Sequence, residues 1–187
     1  FVLMNGISGI GTGFSCYIPS YNVKDIITYL RLRLTDKPVD KFEFIPYYEG
    51  FKGKISKIID EPKKYLIKGV YETIDDNKIR IKELPVGTWT MSYVSFLEGL
   101  VDGVTKNGKK QPSEIRDFVS LSTEINVNIE ITFPRGKLTT LESIVDANGI
   151  NGVEKLLKLT TTTSTTNMHL FDPSHKLKKY NNVSEII

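Results

Sequence analysis

Ile10 sits in a frame of glycines: Asn5-Gly6-Ile7-Ser8-Gly9-Ile10-Gly11-Thr12-Gly13-Phe14 places four glycines in the eight positions 6 to 13. Glycine reaches φ > 0 and lets a backbone approach a ligand, at an entropic cost. Such a run predicts a loop that touches a nucleotide phosphate, a neighbouring backbone or DNA. A dinucleotide fingerprint needs GxGxxG. After Gly9 and Gly11 the third glycine position holds Phe14, so that reading fails. A phosphate-binding P-loop ends in Gly-Lys-Ser/Thr, and Gly11-Thr12-Gly13 has no lysine. Two readings stay open: a tight bend between strands, or a stiff apolar side chain displayed for insertion between DNA base steps.

Three further stretches could bind without doing chemistry. Phe44 to Lys54 (FIPYYEGFKGK) interleaves aromatics with Lys52 and Lys54. It reads as an aromatic core with solvated lysines, or as a groove tracking phosphates. Trp89, the only tryptophan, lies in Glu83-Leu84-Pro85-Val86-Gly87-Thr88-Trp89-Thr90. It reads as core, or as a surface contact at a helix start, where free N–H groups attract anions. Lys158 to Asn167 (KLTTTTSTTN) holds Thr160, Thr161, Thr162, Thr163, Ser164, Thr165 and Thr166 in succession. It reads as a solvated strand, or as a row of hydroxyls and N–H groups that fix register on phosphates. Catalytic constellations are otherwise missing. His169 and His175 have no carboxylate partner nearby in sequence, and Asp75 and Asp76 fit a hairpin turn better than a metal site.

The chain has 187 residues, 40% hydrophobic and 25% charged, which is ordinary for a globular protein with a sizeable core. A net charge of +3 does not by itself predict a nucleic-acid partner. Cys16 is the only cysteine, which excludes an internal disulfide and a cysteine metal cluster. No apolar run has membrane-spanning length, and no signal peptide is visible. The opening run Phe1-Val2-Leu3-Met4 reads as strand-like. Ser184-Glu185-Ile186-Ile187 reads as a first helical turn capped by Ser184. Both ends look internal to a larger protein.

The elements that must position these residues follow from periodicity. Cys16 to Ile18 reads extended. Ile26, Ile27, Leu30 and Leu34 predict a helix from Val23 to about Thr35. Lys54 to Ile59 predicts a strand, followed by a turn at Asp60-Glu61-Pro62. Tyr65 to Tyr71 and Lys78 to Leu84 predict a hairpin about Asp75-Asp76-Asn77. Trp89 leads a helix to about Val104, and Thr105 to Ser113 reads as a polar loop. Strict alternation from Ile125 to Phe133 predicts a half-buried strand. Leu138 to Asn148 and Ile150 to Leu157 predict helices broken at Gly149, and Phe171-Asp172-Pro173 predicts a turn. Strands and helices mix without a βαβ beat, so the class is α+β: a mixed or antiparallel sheet with flanking helices.

In chain order, NGISGIGTGFSCYIPSYN (5–22), YYEGFKGKI (47–55), KELPVGTWT (82–90), KLTTTTSTTNMHLFD (158–172) and LKKYNNVSEI (177–186) resemble the DNA breakage-reunion region of type IIA DNA topoisomerases, nearest the eukaryotic and large-DNA-virus branch. The resemblance implies that residues 1–35 are the end of a winged-helix region carrying a DNA-wedge loop. It makes 36–158 a tower, or shoulder, domain, and 159–187 a DNA-path segment and the start of a coiled-coil arm. It implies that Ile10 intercalates and bends double-stranded DNA. The DNA contacts it implies are Gly9, Gly11, Thr12, Lys52, Lys54, Trp89, Lys158, Thr160 to Thr166 and Asn167. Phe14 stands where many relatives have Trp, Ser8 where many have an acid, and Gly87 where some have a basic residue. The catalytic tyrosine lies upstream in the family. The resemblance further implies a homodimeric, ATP- and Mg2+-dependent parent enzyme, with neither cofactor bound by this stretch. The parent would be intracellular: nuclear if cellular, in host cytoplasm or a virus factory if viral. Competing readings are a structural interaction module without DNA contact, and a nucleotide-binding domain built on the glycine loop.

Overall fold

The computed structural model describes residues 1–103, 105–106, 109–110 and 113–187. Its first elements are α1 (Val2–Asn5), β1 (Ile7–Gly11), β2 (Phe14–Ile18) and α2 (Val23–Leu34). Next come β3 (Lys54–Ile58), β4 (Glu61–Lys68), β5 (Val70–Asp75), β6 (Lys78–Glu83) and α3 (Thr90–Asp102). The short pair β7 (Thr105–Lys106) and β8 (Lys109–Lys110) precedes β9 (Asp117–Ser120), β10 (Ile129–Thr132), α4 (Lys137–Ser143) and α5 (Gly152–Leu156). The chain closes with β11 (Thr160–Ser164), β12 (Met168–Phe171), β13 (Leu177–Tyr180) and a 3-10 turn, Val183–Glu185. The α+β class holds. Every strand pair whose register is defined is antiparallel.

The chain forms two compact units, 1–50 with 55–66 and 162–187, and 51–54 with 67–161. In the first unit, β1–β2 and β12–β13 are hairpins. The unit's core gathers Leu3, Ile18, Tyr21, Tyr29, Phe44, Met168, Tyr180 and Val183. Tyr29 and Phe44 meet edge-on at 5.2 Å, a geometry that aromatic quadrupoles favour.

In the second unit the sheet runs β5–β6–β10–β9. Period-2 alternation turns Ile79, Ile81, Ile129 and Ile131 inward, all fully buried, against Tyr93 and Leu97 of α3. The outer face carries an ion-pair row: Arg80 Nη2 lies 2.5 Å from Glu130 Oε1 and Nη1 lies 3.4 Å from Glu72. Helix α5 begins in a capping box, with Asn151 accepting from Glu154 N at 2.8 Å and Glu154 accepting from Asn151 N at 2.9 Å. The sheet β11–β4–β3 completes the strand list.

Several elements differ from the sequence reading. Phe1 to Met4 is not extended, because α1 makes one helical turn there. Ile27, Leu30 and Leu34 face outward, and Tyr29 and Ile26 are the residues of α2 turned to the core. Ile59 and Asp60, the latter at φ 67, make the turn, so Pro62 falls inside β4. Tyr65 to Tyr71 is cut by Gly69, whose added Cβ would lie 2.4 Å from Glu83 O. Within the polar stretch 105–113, Thr105–Lys106 pairs with Lys109–Lys110 rather than looping freely. Residues 107, 108, 111 and 112 of that stretch, and Val104 at the expected helix end, lie outside the described residues.

Of Ile125 to Phe133 only Ile129–Thr132 pairs as a strand. Thr123 N donates to Asn126 O at 2.9 Å, and Asn126 N donates to Thr123 Oγ1 at 3.2 Å. A turn therefore claims the first half and leaves Ile125 88% exposed. Helix α4 stops at Ser143 because Asp146 Oδ1 collects Asn148 N and Ile150 N, at 2.9 and 3.0 Å. Local carboxylate-to-backbone bonds of this kind compete with helix. The closing 3-10 turn is capped by Asn182, which accepts from Glu185 N at 2.9 Å, and not by Ser184.

Candidate nucleic-acid interface

In the first unit the glycine run is a hairpin, not a loose loop. Gly11 pairs with Phe14 across a two-residue turn, and Ile10 pairs with Ser15. Side chains alternate across a strand, so Ser8, Ile10, Ser15 and Tyr17 share one face. Ile10 is 92% exposed there. Gly13, at φ 75, and Gly6, at φ 69 with Ile18 O 2.9 Å from an added Cβ, are required by the backbone. Gly9 and Gly11 are not. Neither has positive φ, an added Cβ at Gly9 meets nothing within 4 Å, and one at Gly11 meets only Phe14 O at 3.7 Å. The two glycines that flank Ile10 leave open space on the opposite face of the strand.

The Thr-rich segment is stitched to this hairpin. Tyr17 N donates to Asn167 O at 2.9 Å. Asn167 Nδ2 donates to Ser15 O at 2.8 Å and to Ser15 Oγ at 2.7 Å, so both bonds from this nitrogen go to Ser15. Thr163 Oγ1 donates to the Tyr17 hydroxyl at 3.1 Å, and the Tyr17 and Tyr48 hydroxyls lie 3.2 Å apart. Alternation sorts the hydroxyls. Thr163 and Thr165 are buried, and Thr165 Oγ1 donates to Lys63 O at 3.4 Å. Thr162 and Thr166 are exposed, and Ser164 Oγ and Thr166 Oγ1 lie 3.2 Å apart. Burial, then the Tyr17 hydrogen bond, pushes the Tyr48 hydroxyl well above the usual phenol range. The phenol therefore stays neutral over a wider pH range than an exposed tyrosine.

In the second unit, Trp89 is the N-cap of α3, extended at φ −79 and ψ 131, and 79% exposed. Beside it Thr88 N donates to Pro85 O at 3.0 Å, and Gly87 takes φ 85. The first turn of α3 has no side-chain cap and no acid, so its N–H groups and positive dipole end are unopposed. Tyr93, one turn on, anchors the helix through its hydroxyl, which donates to Leu157 O at 2.6 Å. Lys52 and Lys54 are exposed, and among the described residues neither ammonium has an acceptor. Lys158, at φ 50, lies over the Phe96 ring at 4.3 Å, a cation–π contact. Thr160 and Thr161 are half-buried.

The model of the DNA gyrase/topoisomerase IV A-subunit family matches residues 1–187. The chain belongs to that family. Among the relatives it matches, DNA topoisomerase 2 of Pisum sativum is 39% identical over 186 residues, covering 100% of this chain and 12% of the relative. DNA topoisomerase 2-alpha of Homo sapiens is 35% identical over 187 residues, covering 100% of this chain and 11% of the relative. The structure titled as the DNA-binding, cleavage and re-ligation domain of Plasmodium falciparum topoisomerase II superposes with a TM-score of 0.83 at 35% identity. That match covers 99% of this chain and 23% of the other. The chain thus spans about one eighth of the length of the curated relatives it matches.

Within this family member, the sequence reading missed Ser15, Tyr48 and His169 as supports of the hairpin. Phe14 packs edge-on against His169 at 5.1 Å, and Cys16 Sγ donates to His169 O at 3.0 Å. Register counting from Ile10 finds Ser15, but nothing local in sequence reveals partners 31 to 153 residues away. Among the described residues no group of three or more His, Cys, Asp or Glu could hold a metal, and no helix is long and apolar enough to cross a membrane.

Proposed function

We propose that this chain is the DNA-binding and DNA-bending part of an ATP-dependent type II topoisomerase. In that protein double-stranded DNA is cut, a second duplex is passed through, and the break is resealed. The observation that carries the reading is Ile10: an apolar side chain 92% exposed, flanked by two glycines whose missing side chains the fold itself does not need. A DNA wedge needs a stiff apolar group and a backbone that tolerates close approach. Bending a site of 20–30 base pairs costs on the order of 1–6 kcal/mol, which insertion and phosphate contacts must offset.

In this reading Gly9, Gly11 and Thr12 line the wedge, and Trp89, Lys52, Lys54 and Lys158 contact the duplex. Thr160, Thr161, Thr162, Ser164 and Thr166 offer hydroxyls to phosphates. Thr163, Thr165 and Asn167 instead support the interface, because their polar groups are engaged within the chain. Residues 1–35 close a winged-helix region, 36–158 are the tower, and 159–187 lead back along the DNA path. ATP and Mg2+ serve the larger protein, which acts as an intracellular homodimer, nuclear if cellular. No step assigned to these residues runs through either cofactor. A nucleotide-binding role for the glycine run is disfavoured, because its turn carries no lysine and its strands pair along their whole length.

The deciding experiment compares wild type with Ile10→Ala in the full-length protein, reading DNA bending by FRET between the duplex ends. The bent fraction and cleavage should fall together while the melting temperature holds. Unchanged bending sinks the wedge role. Trp89→Ala should weaken DNA binding with little loss of stability, since so exposed a side chain contributes little to the core.

A further inference from the structure

The second unit carries a cationic cavity apart from the surfaces above. It measures about 320 Å3 and is lined chiefly by Asp75, Asn77, Lys78, Arg116, Thr132 and Arg135. It opens at the end row of the sheet, where Asp75 pairs with Lys78 and Lys78 with Thr132. The backbone bearing both arginines is pinned. Arg116 N donates to Thr132 O at 2.8 Å. On the other side, Phe133 N donates to Asn77 O at 2.7 Å and Gly136 N to Asn77 Oδ1 at 3.2 Å, which bracket Arg135.

Most donors in this cavity are uncommitted. Among the described residues neither the Arg116 nor the Arg135 guanidinium has an acceptor, and the Thr132 hydroxyl has no partner. Lys78 Nζ reaches only to 3.9 Å from Glu130 Oε2, while Arg80 holds the other oxygen of that carboxylate at 2.5 Å. Asp75 is the single acid of the lining, and its Oδ1 accepts from Asn77 N at 2.9 Å. Three cations, of which only Lys78 has a distant second carboxylate in Glu130, therefore face the one partly occupied carboxylate of the lining. Unpaired guanidinium forks match phosphate oxygens bidentately, and a neighbouring ammonium and hydroxyl complete a tetrahedral set of donors.

We propose that this cavity binds a phosphate group, supplied either by a nucleic-acid backbone or as free phosphate. The inference stands apart from the roles given to Ile10 and Trp89, whose substitution should leave the phosphate response intact. The test uses the full-length protein and its Arg116→Gln/Arg135→Gln variant, with Lys78→Gln as a second variant. Thermal melting is followed in inorganic phosphate against chloride at matched ionic strength, and DNA affinity is followed against salt. Phosphate should raise the melting temperature of wild type, and the variants should lose that rise while melting normally in chloride. A salt slope lowered by about one per lost contact identifies DNA as the source. Lost phosphate protection with an unchanged slope identifies free phosphate. Equal melting in both salts with an unchanged slope, or equal protection of wild type and variants, overturns the proposal.

Discussion

Asn167 holds Ser15 with a single amide nitrogen, 2.8 Å from the Ser15 carbonyl oxygen and 2.7 Å from its hydroxyl. Ser15 is the cross-strand partner of Ile10, so this bond links the Thr-rich segment to the strand opposite the wedge. With its amide nitrogen turned to Ser15 twice over, Asn167 supports the hairpin in preference to a phosphate. Asn167→Ala should cost about 1 kcal/mol, the usual net worth of a hydrogen bond. It should also broaden the distribution of DNA bend angles without lowering the salt slope of binding. Denaturant midpoints and single-molecule FRET check both. A lower salt slope with an unchanged bend distribution would return Asn167 to the phosphate contacts.

The four glycines of the hairpin should respond in two groups. Gly9→Ala and Gly11→Ala have space within the chain and ordinary backbone angles, so the melting temperature should hold within a degree or two while DNA bending falls. Gly13→Ala forces a side chain into φ 75 and should destabilise by about 1 kcal/mol. Gly6→Ala adds a clash, 2.9 Å from Ile18 O, and should be the most destabilising of the four. Melting curves for all four, with bending measured on those that fold, separate packing from binding.

How much of this was legible beforehand divides along physical lines. Helix α2, strand β6 with the turn before it, and Trp89 at a helix start follow from periodicity and turn chemistry, which act within a few residues, whereas the first arm of that hairpin lies at Val70–Asp75 and not at Tyr65 to Tyr71. The alternation from Ile125 to Phe133 misled because a Thr123–Asn126 turn overlaps its first two residues, and polar turn bonds there outweigh the pattern. Asp146 broke the expected helix in the same way. The roles of Ser15, Tyr48 and His169 were out of reach because each depends on a partner distant in sequence. The two kinds of glycine were indistinguishable by letter, and only the local backbone separates them.

Alkaline pH should loosen the first unit. Burial, the largest cause for Tyr21 and for Tyr48, holds both hydroxyls well above the usual phenol value of 10.0. The unfolded chain releases these protons near pH 10 while the folded one retains them, so the unfolded state binds fewer protons above that pH. Stability from this source is complete below about pH 10 and falls as pH rises beyond it. Urea midpoints from pH 8 to 11 should be flat and then decline. Tyr48→Phe should weaken the decline. A midpoint that rises with pH would contradict the burial of these hydroxyls.

Among the described residues Lys68 and Glu154 form the most enclosed ion pair of the second unit, 2.7 Å apart with side chains 18% and 9% exposed. Lys68 Nζ also donates to Gly149 O at 2.7 Å, and Glu154 holds the capping box of α5 through its other oxygen. Lys68→Met strips the cation and leaves a carboxylate without its charge partner, a loss that typically costs 3–5 kcal/mol. Glu154→Gln removes the negative charge but keeps an acceptor for Asn151 N, so it should cost less. The double substitution Lys68→Met/Glu154→Gln should recover part of the Lys68→Met loss, because no unpaired charge then remains buried. Urea denaturation of the three variants closes the cycle. Additive losses would mean that the two side chains do not interact.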